Sequence, residues 1–531
     1  MTGKLIATAV YLGCCFWLSW KAWKETGSNA DYMLAGRQAG PFVMAMSYGA
    51  TFISTSAIIG FGGAAAMFGF SVLWLTVLNI GVGVFIAMVF FGRRTRRMGL
   101  ALDSHTFPEL LGRRYDSRFI QGFSGSIIFL FIPVYAAAVL IGIARLAEVS
   151  LGVPYVAALL SVTAILALYV ITGGIKAVMY TDAFQGTLMV LMMLMLVGYT
   201  YWMLGGVIPA HETLSDMAPL MPEKLRAGGM LGWTQGTVTG SPLWLVIYTT
   251  IVYGVGVGVL AQPQLAVRYM TVPSDRELHR AVLFGGVFIL LMTGVAFTVG
   301  ALSNAVFFQK FGKIAIQMGG GNVDKIIPAY VETMMPGWFS GFFLLAMMAA
   351  AMSTMSGQYH TGGTALGHDI ITRTLGRKQQ GLAANRIGVV ITILASLVWA
   401  WVLPGSVIAR ATAFFFGLCA ATFLPAYSLG LYWRGMTKTG AKVSMLGGFA
   451  ASMFWLLFIH EKEAAAIGLC RWLTGKATLV ADAVPGSALH LLQWVDPNVV
   501  ALPLSFLLAA GVSTATRPVA REHLDLCYSR C

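Results

Sequence analysis

The sequence has little charge and no long polar stretch. Only 11% of its 531 residues are charged, whereas 57% are hydrophobic. A water-soluble domain of this composition would aggregate, so we expect the chain to lie in a membrane. Repeated apolar runs long enough to cross the hydrocarbon core indicate the same. The first run, 5–20, lacks a small-residue cleavage site and is followed by further runs, so we interpret it as a retained helix.

Signatures of soluble enzymes and of cysteine frameworks are also missing. No paired carboxylates, metal cluster, phosphate loop or nucleophile elbow falls within the apolar runs. The six cysteines follow no metal-ligand or disulfide spacing. His360 is the one histidine expected at membrane depth, where a lone histidine is more often packed than proton-carrying. We therefore expect a protein that is not an enzyme and has no cofactor.

The basic residues follow the pattern of a membrane topology. We predict an all-α polytopic protein with about 13 transmembrane helices, and alternate loops then carry most of the 35 lysines and arginines. By the positive-inside rule that side is cytoplasmic, which predicts an outside N-terminus, a cytoplasmic C-terminus and a plasma (inner) membrane location. Topology explains the net charge of +14, and we expect no nucleic-acid partner.

Two apolar segments are interrupted by glycine and proline. "SYGATFISTSAIIGFGG" (47–63) lies in the second predicted span, and "YGVGVGVLAQPQ" (253–264) lies in the seventh. The two spans run in opposite directions, which predicts two inverted five-helix repeats that each begin with a broken helix. The predicted segments are a first helix with its cytoplasmic loop (1–40), the first repeat (41–205), an outer loop (206–240), the second repeat (241–432), two peripheral helices (433–516) and a cytoplasmic tail (517–531).

Broken helices at membrane depth have two explanations. Gly and Ser let helices approach each other closely, so each segment by itself could serve helix packing. Irregular backbone is also tolerated where freed carbonyls and amides face a cavity or a ligand. Because the two segments occupy corresponding positions in the two halves, we favour a binding site.

A pair of adjacent hydroxyls lies in a third apolar segment, "AAAMSTMSGQ" (349–358). Ser353 and Thr354 could simply bond to carbonyls of the preceding turn. Alternatively they could bind a hard cation, because sodium needs about five oxygens and a broken helix supplies further carbonyls. The sequence leaves both explanations open.

Asp182 follows the glycine pair of "YVITGGIKAVMYTDAFQG" (169–186). Placed before the next predicted span, it could be an N-cap that accepts from the first amides of that helix. An acid at the cytoplasmic end of a span could also help a cation to leave. The residues alone do not decide between the two roles.

Taken together, five motifs resemble the sodium:solute symporter family, which includes proline, sugar, pantothenate and monocarboxylate carriers. The resemblance covers about residues 30–435 and implies a 13-span protein with an outside N-terminus and a LeuT-like core of two inverted repeats. The motifs are "LAGRQAG" (34–40), the stretch 50–54, "GGIKAVMYTDAFQG" (173–186), "AQPQLAVRYMTVPSD" (261–275) and "AAAMST" (349–354).

The resemblance also implies a sodium site and an ion-exit residue. Matched by motif, Asp182 corresponds to the family's cytoplasmic acid near the ion. Sodium is then the coupling ion, and its ligands are the carbonyls of Ala50, Ile53 and Ala350 with the hydroxyls of Ser353 and Thr354.

The solute is expected to differ from that of the proline branch. Proline carriers have an Asp where this chain has Phe52, and Trp and Tyr where it has Val255 and Val259, although Tyr135 matches their substrate tyrosine. The run 279–306 looks more like pantothenate and monocarboxylate carriers, so we expect a small carboxylate, with proline as the alternative. The expected solute residues are Ser54, Ser56, Tyr135, Tyr253, Val255, Val259 and Gln262.

Two further alternatives remain for the function. A proton-coupled carrier on the same fold is disfavoured because no buried acid or histidine relay is evident. A membrane solute sensor is disfavoured because only about 15 residues follow the last predicted span. The expected partners are Na+, a small organic solute and the lipid bilayer, with no obligatory protein partner evident.

Overall fold

The computed structural model describes residues 2–24, 33–376 and 381–531, and nearly all of its elements are helical. Within these residues, ten helices are long and apolar enough to cross a membrane. They are Ser56–Ala101, Arg118–Leu151, Ala177–Met203, Pro242–Ala261, Asp275–Phe311, Gly337–Thr374, Ala383–Val402, Ile408–Tyr432, Lys438–Phe458 and Asn498–Ala515.

The predicted count of 13 differs from these ten at three places. The first predicted span corresponds to helix Thr2–Lys24, which is not among the ten. The second and third predicted spans share the segment Ser56–Ala101. The fifth predicted span corresponds to the shorter apolar helix Tyr155–Ala167. The count of 13 therefore stays a prediction.

Shorter helices connect and flank the long ones, together with one small antiparallel sheet of Met230–Gly232 and Gly236–Thr237. The other helical segments are Ala35–Arg37, Pro41–Phe52, Phe107–Arg114, Val207–Asp216, Ala218–Leu220, Glu223–Ala227, Pro263–Tyr269, Ala315–Met318, Val323–Lys325, Ile326–Met334, Glu461–Ile467, Leu469–Thr474, Ala488–Leu491, Leu492–Trp494 and Arg521–Tyr528.

Both predicted helix breaks are confirmed. The first broken helix begins with Pro41–Phe52, leaves helical geometry at Ile53 (φ −91°, ψ 99°) and resumes at Ser56. The second broken helix runs as Pro242–Ala261 and then Pro263–Tyr269, with Gln262 extended between them (φ −72°, ψ 116°). Each therefore has an N-terminal and a C-terminal half. Pro263 begins the C-terminal half of the second broken helix. Proline has no N–H to donate, which suits the first position of a helix.

Gly69 separates the first broken helix from the span that follows it. Its φ of +59° is a conformation that costs an L side chain energy, so glycine suits this reversal. The peptide at Trp233 closes the turn, because the N–H of Phe70 donates to its carbonyl at 2.8 Å. The outer loop predicted at 206–240 thus packs onto the end of the first broken helix.

The fifth and sixth predicted spans lie within one helical segment, Tyr155–Met203. Its two ends reach the same part of the molecule. Tyr155 contacts Arg145, which lies in the same ion-pair group as Lys325, while Thr200 bonds the hydroxyl of Tyr330 at 2.8 Å. A straight helix of this length would place its ends roughly 70 Å apart, so the chain must reverse between them.

Gly337–Thr364, which we call the hydroxyl helix, lies at the centre of the protein. In the segment Gly337–Thr374, 89% of the most apolar window is buried, against 33% for Lys438–Phe458 and for Asn498–Ala515. The hydroxyl helix packs on the first broken helix, on Arg118–Leu151 and on Tyr155–Met203. Its hydroxyl pair is thereby placed against the first break.

Candidate functional site

The first helix break brings Ala50 to the hydroxyl pair. Carbonyls in the last turn of a helix lack an intrahelical partner, and Ala50 lies in the last turn before Ile53. The Ser353 hydroxyl donates to the Ala50 carbonyl at 2.8 Å, and the Thr354 hydroxyl donates to the same oxygen at 3.0 Å. All four of these residues are buried.

The other residues expected to supply oxygen ligands to sodium lie beside these contacts. The Ala350 carbonyl lies 3.2 Å from the Ser353 hydroxyl, and Ile53 is the residue at which the helix opens. Hydroxyl and carbonyl oxygens without a carboxylate suit a hard monovalent cation. Sequence-based reasoning left hydroxyl back-bonding open. Here both hydroxyls reach across to Ala50 of another helix, and Ser353 also bonds back to Ala350 of its own helix.

The N-cap interpretation of Asp182 is wrong. Asp182 is fully buried, lies inside the span Ala177–Met203 and not before it, and its carboxylate meets side chains of other helices. Its carboxylate accepts a hydrogen bond from Ser47 at 2.6 Å and lies 3.5 Å from the guanidinium of Arg268. Ser47 is in turn 2.9 Å from the Arg268 Nε, which donates to it.

Arg268, which belongs to the motif 261–275, is part of the core. It lies in the C-terminal half of the second broken helix and is almost fully buried. Its guanidinium donates to Ser47 and Thr51 of the first broken helix, and the Thr51 hydroxyl lies 3.5 Å from the Ser353 carbonyl. One side chain thus links both broken helices, the acid Asp182 and the edge of the ion site.

Three expected solute residues lie together at the first break. Ser54 and Ser56 are fully buried, with their hydroxyls 2.6 Å apart. The phenol of Tyr135 approaches both serines and the carboxamide of Gln358. These side chains form a polar cluster next to the proposed ion ligands, since Ser54 follows Ile53 directly.

An apolar wall borders this polar cluster. Phe52 stacks on Phe416 with ring centroids 6.2 Å apart, and Tyr135 meets Phe416 edge to face at 5.3 Å. Val259 lies beside Phe52, because a methyl group added at Gly83 would be 3.3 Å from both side chains. The wall therefore joins the two broken helices.

The other three predicted solute residues are spread along the second broken helix. Gln262 lies at the break, where its side-chain oxygen Oε1 accepts a hydrogen bond from the side-chain Nε2 of Gln264 at 3.0 Å. Val255 is buried, whereas Tyr253 is half-buried and within electrostatic range of Asp496. Gln262 thus lies at the candidate site between the two helix breaks, whereas Tyr253 lies away from it, near Asp496.

Gln358 is a residue that sequence-based reasoning did not select. It is fully buried, and its carboxamide lies beside the Tyr135 phenol without making a well-aligned hydrogen bond. It follows Thr354 by one helical turn, so the two share a helix face. The available signal was the residue type, because a glutamine in an apolar span is costly unless it has a use.

This fold and site define an ion-coupled secondary transporter: two helices of opposite direction are broken at corresponding places, and a freed carbonyl of one meets a hydroxyl pair. The comparison with known families agrees with this class. The chain belongs to the sodium:solute symporter family, whose pattern matches residues 32–448.

Several characterised relatives span most of the chain. The osmoregulated proline transporter OpuE of Bacillus subtilis is 27% identical over 500 residues, which are 92% of this chain and 93% of the relative. The high-affinity proline transporter PutP of the same species is 28% identical over 448 residues, 82% of this chain and 88% of PutP. The sodium/pantothenate symporter of Haemophilus influenzae is 27% identical over 457 residues, 85% and 89% of the two chains.

Solved structures share the fold. A Na+-coupled sialic acid symporter in a substrate-bound outward-open state superposes with a TM-score of 0.73 at 18% identity, covering 97% of this chain and 98% of that one. The nucleobase-cation-symport-1 family transporter Mhp1, closed on bromovinylhydantoin, gives a TM-score of 0.55 at 14% identity over 95% and 99%. The LeuT-like fold predicted from the sequence is confirmed.

Proposed function

We propose that this sodium:solute symporter imports a small organic carboxylate, of the pantothenate or monocarboxylate kind, by alternating access. Sodium and solute bind at the two helix breaks, and the two repeats rock to expose the site to each side of the membrane in turn. In the proposed topology the N-terminus is outside and the C-terminus is cytoplasmic, in the plasma (inner) membrane. No cofactor takes part, because the coupling ion supplies the driving force.

The observation that carries the sodium proposal is the double contact at Ala50. Two hydroxyls from one helix converge on one carbonyl of a broken helix, at 2.8 and 3.0 Å. We assign Ala50, Ile53, Ala350, Ser353 and Thr354 as the ligands, with the hydroxyls turning their lone pairs to the ion. Sodium bound there would fix the break, and so would order the neighbouring residues Ser54 and Ser56.

The carboxylate proposal rests on the groups beside the ion. Arg268 cannot serve as the counter-ion of the solute, because its charge is already matched by Asp182. The free amide of Gln358, the hydroxyls of Ser54 and Ser56 and the first amides of the resumed helix can donate to an anion instead. The bound sodium adds a full positive charge close by.

The carbon skeleton of the solute would meet the apolar wall of Phe52, Val259 and Phe416. Tyr135, Val255 and Gln262 complete the proposed pocket, whereas Tyr253 lies towards its edge. A hexose would need hydrogen bonds on every face of its ring, and this wall offers none. A polar head with an apolar body fits both sides of the pocket.

Sodium and solute must favour each other's binding by the same free energy, since coupling between two sites is reciprocal. We assign Asp182 to ion exit, because Ser47 and Thr51 connect its ion pair to the edge of the sodium site. Loss of sodium would free the break and weaken that connection. The ion pair also disfavours a proton relay through Asp182, because Arg268 neutralises the carboxylate without a proton.

Proline is the second candidate solute, and the relatives favour it. Two of the transporters described above carry proline by name, and proline is itself a small carboxylate with an apolar ring. Phe52, at the place where proline carriers have an acid, leaves no side chain to meet the charged proline nitrogen. We therefore rank proline below acids that lack a cationic group.

The test is uptake of labelled solutes into proteoliposomes with and without an inward sodium gradient. Pantothenate, short monocarboxylates, proline and hexoses are the substrates to compare, with the amides of the acids as matched controls. Sodium-driven uptake blocked by acids but not by their amides supports the proposal. Strong inhibition by a neutral sugar, with none by any acid, contradicts it.

A further inference from the structure

A second group of buried oxygens lies where the last membrane helix begins, outside the site described above. Asp496 and Asn498 flank Pro497 just before and at the start of Asn498–Ala515, and both are buried, Asn498 completely. Asp496 is held in place from two sides. Its N–H donates to the Thr249 hydroxyl at 2.9 Å, and its Oδ1 accepts from the N–H of Asn498 at 2.9 Å.

Two glycines make room for these side chains between membrane helices. A methyl group added at Gly254 of the second broken helix would lie 3.3 Å from Oδ2 of Asp496. One added at Gly417 of helix Ile408–Tyr432 would lie 3.2 Å from the Asn498 amide nitrogen and 3.7 Å from Oδ1 of Asp496. The Asp496 carboxylate and the Asn498 carboxamide therefore lie side by side, and both are close to helices of the core.

The helix cap uses only part of this polar capacity. Both atoms of the Asn498 carboxamide lack a hydrogen-bond partner, and the Thr250 hydroxyl faces the Asp496 carboxylate. Buried polar atoms without partners are costly, so an unpartnered carboxamide beside a buried carboxylate indicates a ligand.

The Asp496 carboxylate also forms no ion pair within the described part of the chain. No lysine or arginine there forms an ion pair with it, and His460 and Glu463, which act on it electrostatically, are hydrogen-bonded to each other. An ionised buried carboxylate needs a counter-charge.

We propose that Asp496, Asn498 and Thr250 bind a second sodium ion, distinct from the ion at Ser353 and Thr354. One carboxylate with neutral oxygens matches the charge of a monovalent cation, whereas calcium sites normally recruit several carboxylates. The ion would hold the start of the last helix against the second broken helix and helix Ile408–Tyr432. It thereby links a peripheral helix to two helices of the transport core.

The test is direct binding of ²²Na+ to the purified full-length protein at pH 8, with no solute present. The wild type is expected to bind two ions per chain, and Asp496→Asn and the Ser353→Ala/Thr354→Ala pair are each expected to bind one. The triple variant should bind none. If Asp496→Asn binds as many ions as wild type, the proposal is overturned. A wild type that binds one ion, which Asp496→Asn then loses, contradicts the Ser353 site instead.

Three further measurements test the assignment of this site. Asn498→Ala with Thr250→Val retains the carboxylate, and should weaken binding of the second ion at least tenfold in a protein that remains monodisperse. Asp482→Asn is the matched control, because that acid lies in the same loop but is exposed and paired with Lys476; it should bind two ions. Displacement of sodium from this site by equimolar calcium would also overturn the assignment. If no sodium binds at Ser353 and Thr354, Asp496→Asn should still bind one ion fewer than wild type. The two proposed sites can therefore be contradicted separately.

Discussion

Ser353 and Thr354 allow the sodium site to be tested one side chain at a time. Each hydroxyl removed from a buried contact costs about 1–3 kcal/mol, so Ser353→Ala with Thr354→Ala should raise the half-saturating sodium concentration at least tenfold. Sodium-dependent uptake in proteoliposomes measures this. Thr412→Ala is the control, because that buried hydroxyl bonds only to its own helix at Ile408 and should leave the sodium curve unchanged. A normal curve in the double variant would place the ion elsewhere.

The Asp182–Arg268 pair makes a different prediction, because both charges are buried. Arg268→Gln leaves a buried carboxylate unmatched and should lower the free energy of unfolding by about 3–5 kcal/mol. Asp182→Asn should have a similar effect, whereas the double variant removes both charges and should be more stable than either single variant. Thermal unfolding of the purified proteins checks this order. Additive losses would show that the two residues act independently.

Gln358 separates solute binding from sodium binding. Gln358→Leu removes the unpartnered amide and should raise the KM for the solute roughly tenfold, by the cost of about 1–3 kcal/mol for a lost buried hydrogen bond. Gln358→Glu should be worse for a carboxylate, because it places like charges together. Stabilisation by sodium without solute should survive in Gln358→Leu. If uptake keeps a normal KM, Gln358 does not contact the solute.

At the scale of elements, a buried acid fastens a connecting helix to the core. Glu109 of Phe107–Arg114 is buried, lies 2.6 Å from Arg113 and 3.2 Å from Arg373, and accepts from His368 at 3.0 Å. His368 and Arg373 lie in the last turns of the long segment Gly337–Thr374. This joint lies beyond the hydroxyl helix, and it was not evident from the sequence because its members are more than 250 residues apart.

The pKa of Glu109 gives this joint a pH dependence. Burial alone would raise that pKa, but hydrogen bonds from His105 and His368 and the charge of Arg113 outweigh it and hold the pKa well below its usual range. A lowered pKa stabilises the fold fully above the unfolded value of about 4.3, and the benefit is lost as pH falls below it. Glu109→Gln should therefore cost about 3 kcal/mol at pH 7.

The advantage of wild type over Glu109→Gln should shrink as the pH falls below about 4, and thermal unfolding across pH measures it. Asp116→Asn is the control, since that acid is largely exposed and lies 3.8 Å from Lys438. A gap between wild type and Glu109→Gln that does not change with pH would mean that packing, not charge, explains the loss.

At the scale of the whole molecule, the proposed orientation rests on the uneven distribution of basic residues. Membrane-impermeant thiol reagents on right-side-out vesicles should label Asp482→Cys, which lies in the predicted outer loop and is exposed. They should leave Cys531 of the predicted cytoplasmic tail unlabelled until the vesicles are opened. Labelling of Cys531 in closed vesicles would reverse the topology.

The sequence predicted features that depend on local chemistry. Long apolar runs require membrane helices, and Gly and Pro at two corresponding places weaken the helix wherever they stand, so both breaks were found. The pairing of Ser353 and Thr354 with Ala50 followed from family motifs. The span count of 13 stays a prediction, because helix Tyr155–Ala167 is short and two predicted spans share Ser56–Ala101.

Only the tertiary structure decided which polar groups meet. A helix cap was one of two roles open to Asp182 because it precedes a predicted span, whereas Arg268, 86 residues further on, makes it part of a buried ion pair. A glutamine in an apolar span is a signal by itself, but only packing shows how deeply Gln358 and Asn498 are buried and which groups they meet. The physical reason is that charge pairing and hydrogen bonding depend on distance in space, while a sequence records distance along the chain.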